Sequence, residues 1–199
     1  MNVQMSKSWE FDCVIVSDLY DDPLINRYSV SLVFTTNCDD STDYNTAYRR
    51  IKFWITQIMQ DSVIINHDHA KISVWQNTGM RVLTIMDEPV DQLVGMMLFS
   101  KLQAICEDRV IINSLMISSS LDEDIGYHHD SDSDLSVFES SGWWNDARPT
   151  WEHHKSHKTR GNKVISIDRT QDWKKLDLGW SSEQGNVVLK ADFGKDENQ

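Results

Sequence analysis

Two stretches decide the reading of this chain: Ile58-Met59-Gln60-Asp61-Ser62-Val63-Ile64-Ile65-Asn66 and Ile105-Cys106-Glu107-Asp108-Arg109-Val110-Ile111-Ile112-Asn113. They align without a gap at an offset of 47 residues, and six of the nine positions are identical. An apolar run at helical spacing precedes each, and a run of β-branched residues closes each. The pattern predicts a helix that ends and a buried strand that begins, twice over.

Ahead of the first copy, Tyr44, Ala47, Tyr48, Ile51, Trp54, Ile55, Ile58 and Met59 step by three and four, one stripe on a helix from Asp43 to Gln60. Ahead of the second, Val90, Leu93, Val94, Met97, Leu98, Leu102 and Ile105 do the same. Asp87-Glu88-Pro89 reads as the start of that helix, with a capping carboxylate and an early proline. Tyr28–Thr36 and Met80–Ile85 read as strands, while His67–Gln76 fits either a short helix or a strand.

The order from Tyr28 to Ile117 is then β-α-β-β-α-β. It predicts an α+β fold with an antiparallel sheet and two helices on one face, a ferredoxin-like core over residues 28–117. Phe11–Val16, Lys163–Asp168 and Asn186–Asp192 are expected to extend the sheet as N- and C-terminal strands. The whole chain, 1–199, reads as one domain, with a long acidic loop over 119–160 and C-terminal strands over 161–193. An exposed edge strand at Ile64 or Ile111 is expected to offer homo-oligomeric pairing to a second copy.

A formal charge of −12 and a pI near 4.8 disfavour nucleic acid and anionic membranes and favour a basic partner protein. No apolar run is long enough to cross a bilayer, and the N-terminus lacks a signal-peptide layout. Cys13, Cys38 and Cys106 are odd in number and widely spaced, which suits reduced thiols and a cytoplasmic location. No glycine-rich phosphate or dinucleotide motif occurs, so no cofactor is expected.

Three groups of residues are candidates for function. His67, Asp68 and His69, just after a predicted strand, have the donor types of a metal site, as do Asp39 and Asp40 after another. The aspartates equally suit a helix N-cap. Trp143, Trp144 and Trp151 stand in polar sequence and either fold back over the sheet or anchor a partner, with Asp130, Asp132 and Asp134 as its acidic surround. Lys155, Lys158 and Arg160 form a basic stretch that a nucleic-acid-binding module would use.

Glu88-Pro89-Val90-Asp91-Gln92-Leu93-Val94-Gly95, continued by Phe99-Ser100-Lys101-Leu102, Glu107-Asp108-Arg109 and Gly142-Trp143-Trp144, resembles uncharacterised accessory proteins of large tailed bacteriophages. The resemblance spans about the middle 120 residues and implies a phage context and the host cytoplasm, but no catalytic residues. The expected function is therefore a non-enzymatic accessory or host-modulating protein that binds another protein. A metal-dependent hydrolase or nuclease and a nucleic-acid-binding regulatory module are the alternatives.

Overall fold

The computed structural model describes residues 4–122, 124–138, 142–151 and 172–183. Its elements are β1 (Gln4–Val16), β2 (Leu24–Thr36), α1 (Ser41–Phe53, continued by a π-helical turn, Trp54–Met59), β3 (Ser62–Asn66), α2 (Ile72–Gln76), β4 (Arg81–Ile85), α3 (Asp91–Cys106), β5 (Val110–Ser119) and β6 (Gly126–Asp130). The six strands form one mixed sheet in the order β4-β3-β1-β2-β5-β6. The fold is α+β as expected, but the ferredoxin-like antiparallel core is not what forms.

The reason lies in β1. Thirteen residues of alternating burial pair antiparallel with β2 from Gln4–Thr35 to Ile15–Leu24, so the N-terminal strand is central and not an extension. Its other edge takes β3 in parallel, Cys13–Val16 against Ser62–Ile65, and β3 takes β4 in parallel. The segment His67–Gln76 supplies the short helix α2, which lets β3 and β4 run the same way. On the far side β5 pairs antiparallel with β2, and β6 with β5. Ile64 and Ile111 therefore sit in interior strands; among the described residues the sheet's edges are β4 and β6. The proposed closing strands over 163–168 and 186–192 lie outside the described residues.

α1 and α3 cover one face. Their stripes, with Phe11, Ile15, Val30, Leu32, Leu115 and Ile117 from the sheet, make the main core. Val16, Val63 and Ile65 point the other way, under Ile72 and Trp75 of α2. In both copies of the repeat the aspartate is left-handed, Asp61 at φ 57° and Asp108 at φ 62°. Each ends a helix and turns the chain into a buried strand, a conformation that aspartate tolerates better than most residues.

Within the expected loop over 119–160 lie strand β6 and the tryptophan-bearing residues 142–151. Trp143 and Trp144 are buried at 2% and 1% exposure, and Trp143 Nε1 donates to Thr84 O on edge strand β4. Lys101, on α3 and fully buried, donates to the carbonyls of Trp143, Asp146, Arg148 and Thr150 at 2.6–3.1 Å. The ammonium also faces the Trp54 ring at 4.4 Å.

Gly95 of α3 lets the helix approach β6. A Cβ there would lie 2.5 Å from His129 Nε2 and 2.7 Å from Ile117 Cγ2. Gly95→Ala is expected to lower stability by about 1–3 kcal/mol despite alanine's better helix propensity. A urea titration of both forms checks this, and an unchanged midpoint would show that the interface yields.

Candidate functional site

The expected metal ligands do not meet. Asp39 and Asp40 follow the carboxyl end of β2, beside the start of β1, whereas His67–His69 follow β3, beside its end. About 40 Å of extended chain lies between the two ends of β1. Among the described residues no three His, Cys, Asp or Glu side chains are grouped to hold a metal ion.

Each set has another occupation. Asp40 is the N-cap of α1; it accepts from Thr42 N at 2.7 Å and from Ser181 Oγ at 2.9 Å. The Thr42 backbone, with Ser181 next, holds its carboxyl below the ordinary aspartate range. In the acidic loop, Asp130 accepts from Asp132 N and Ser133 Oγ, and Asp134 from Ser136 N. Asp130 is half-buried, Asp132 and Asp134 are exposed, and Trp151 is half-buried under the Arg81 guanidinium at 5.3 Å. Lys155, Lys158 and Arg160 lie outside the described residues.

A polar cluster joins the carboxyl ends of the parallel strands β1, β3 and β4. In open sheets this is the end at which loops from neighbouring strands converge around a ligand. Glu88 Oε2 accepts from Ser17 Oγ at 2.5 Å and from Asp18 N at 2.9 Å, while its Oε1 takes Asn66 Nδ2 at 3.3 Å. Ser17 follows β1, Asn66 ends β3 and Glu88 follows β4, so one carboxylate ties three strand ends together.

The sequence reading gave Glu88 to a helix cap, but α3 starts at Asp91 with no side-chain cap. A carboxylate so close to a helix start carries no local signal of a partner 71 residues away. Ser17, buried after an apolar strand, was missed for the same reason.

His69 belongs to the same rim. Its Nδ1 accepts from Lys71 N at 3.0 Å, so Nε2 carries the proton and faces Asp18 Oδ1 at 3.1 Å. The imidazole is 4% exposed and the Asp18 side chain 77%. His67 donates its backbone N–H to Ile85 O and sets Nε2 3.1 Å from Asp68 Oδ2 at the surface. Asp21, Asp22 and Asp87 lie in the same loops, with Lys71 as the nearby cation. The rim therefore presents fixed acceptors in a field of negative charge.

At the opposite end of the sheet, Arg50 is 1% exposed and donates to Leu178 O, Ile105 O and Glu107 Oε1 at 2.7–3.1 Å. Its guanidinium carbon lies 3.6 Å from the Trp180 ring centroid and 4.7 Å from that of Trp173. Ser181 N donates to Asp43 Oδ1 at 2.7 Å. These contacts fasten residues 172–183 to α1 and α3. Burial and the neighbouring Asp43 and Asp40 push the Cys38 thiol up, so it is not an activated nucleophile.

No family model matches the chain, and no curated protein matches it. Solved structures of 6-pyruvoyltetrahydropterin synthase do. One from Plasmodium vivax, a catalytic-residue mutant, has a TM-score of 0.41 and 11% identity over 65% of this chain and 99% of its own. A second P. vivax mutant has a TM-score of 0.43 at 10% identity over the same shares. The Plasmodium falciparum enzyme has 0.39 at 11% identity, over 65% of this chain and 98% of its own. Likeness at this level transfers no activity.

The expected protein-binding function is corrected at its anchor: two of the three tryptophans expected to hold a partner, Trp143 and Trp144, are core residues. The two candidate ligand sets of the hydrolase alternative, His67–His69 and Asp39–Asp40, stand at opposite ends of β1, and neither forms a group of three such side chains among the described residues. No helix among the described residues is long and apolar enough to cross a membrane.

Proposed function

We propose that the chain is a small-molecule-binding domain that takes an organic cation, an amine or a guanidinium, at the carboxyl ends of β1, β3 and β4. The observation that carries this reading is the pair of adjacent, oriented carboxylates. Glu88 is fixed by Ser17, Asp18 and Asn66, and Asp18 is held by His69. Ionised carboxylates only accept hydrogen bonds, so the complementary ligand is one rich in N–H donors. The six acids of these loops, Asp18, Asp21, Asp22, Asp68, Asp87 and Glu88, would draw such a ligand in. The three free thiols support a reducing, cytoplasmic setting.

Titration with agmatine, arginine and spermidine at low salt, followed through the backbone amides of 17–19, 66–69 and 86–88, tests the reading. Saturable shifts in these loops are expected, weakening as salt is added. Asp18→Asn, whose amide oxygen can still accept from His69 Nε2, is expected to weaken binding about tenfold. Shifts from none of the three cations would sink the proposal.

A further inference from the structure

β6 is a five-residue edge strand, Gly126–Asp130, bonded on one side to β5 from Ser114 to Ser118. His129 is the residue it turns inward. The side chain is 4% exposed, lies over Gly95 of α3, and its Nε2 has no hydrogen-bond partner. Buried ring nitrogens are ordinarily paired, and one facing a helix backbone without an acceptor is tolerated only while it carries no charge.

Among the described residues, the only counter-charge acting on His129 is Asp130, which His128 offsets. From β5 come its cross-strand neighbour Leu115 and Ile117, both apolar. On α3 the flanking charged residues are otherwise engaged: Asp91 accepts from the Tyr28 hydroxyl at 2.7 Å, and Lys101 is bound to its four carbonyls. On β6 itself, His128 and Asp130 act in opposite senses, and they face each other at 3.5 Å on the outer side.

We propose that His129 is an acid-sensitive latch whose protonation detaches β6 and bares the edge of β5 from Ser114 to Ser118. An imidazolium needs acceptors for both N–H groups, and the position over Gly95 provides none for Nε2. Among the described residues β6 has one hydrogen-bonded ladder, to β5, so its release breaks that ladder and the packing of Tyr127 and His129. Burial, with His128 next, holds the imidazole below the usual histidine range. The unfolded or detached strand then binds the extra proton below about pH 6.5, so the latch is fully closed above that value and opens as pH falls through the folded-state value.

Amide hydrogen exchange of the full chain, compared between about pH 7 and about pH 5 after correction for the intrinsic rate, tests the latch. Protection at residues 114–118 and 126–130 is expected to collapse at the lower pH while the β1–β2 amides stay protected. His129→Leu is expected to keep β6 protected at both values, and His128→Gln to leave the transition in place. The proton NMR titration of His129 reads the same point without a variant. A midpoint at or above that of an exposed histidine, or equal protection of β6 at both values, overturns the proposal.

Discussion

Lys101→Met is expected to lower the unfolding free energy by about 3–5 kcal/mol. The methionine fills a similar volume but leaves the carbonyls of Trp143, Asp146, Arg148 and Thr150 without their shared donor. The segment from 142 to 150 would then lose its grip on α3, and with it the cover of edge strand β4. Urea unfolding gives the magnitude. Tryptophan emission gives the place, since Trp54, Trp143 and Trp144 pack in succession and should all redden on solvation.

The pH dependence carries a second signature of the same residue. Burial pushes the Lys101 ammonium down to about 7, with Asp146 opposing and Arg148 adding to the push. The four carbonyls act against burial, because an ammonium serves more of them than a neutral amine does. With the folded value lowered, the unfolded chain holds the extra proton between about pH 7 and the ordinary lysine range. Stability therefore rises with pH across that window, and the methionine variant should lose the rise. A variant as stable as the parent at every pH would show that water replaces the ammonium without penalty.

Arg50→Ala is the other large effect, again about 3–5 kcal/mol. It removes the buried partner of Glu107, three hydrogen bonds and the plane against which Trp173 and Trp180 lie. Arg50→Lys should recover less than half, because one ammonium nitrogen cannot occupy both the Nε position that serves Leu178 O and the Nη1 position that serves Ile105 O and Glu107, or stack on an indole as a guanidinium does. Limited proteolysis gives the spatial readout: cleavage within 172–183 should appear in both variants and not in the parent. If lysine restored full stability, charge alone and not the planar fork would be what holds that segment.

Much of this was legible in the sequence, and the failures have physical causes. The stripes on α1 and α3 declare their buried faces because helix period and burial coincide there. The repeat foretold two helix ends followed by buried strands, but not that the aspartates at 61 and 108 are left-handed. Pairing partners were not legible, because an alternating strand says which face is buried and nothing about its neighbour. β1 was therefore taken for a decoration when it is the strand on which β2 and β3 both pair. Tryptophans 143 and 144 sit in polar sequence, and their burial depends on a lysine 42 residues earlier that local hydrophobicity marks as exposed. The Glu88 cluster failed to appear for the same reason: its partners are 70, 71 and 22 residues away.

The long β1–β2 hairpin also bears on how the chain reaches its folded state. Its arms are joined by only seven residues, 17–23, so it closes early and at small entropic cost. The β1–β3 pairing must instead wait for the chain from 17 to 61 to return, and β5 must come back to β2 from still further along. The hairpin is thus a template that is complete before either flank exists, and the two flanks add to opposite edges of it. Damage to the template should slow folding, whereas damage to the short wing of β3 and β4 should mainly hasten unfolding.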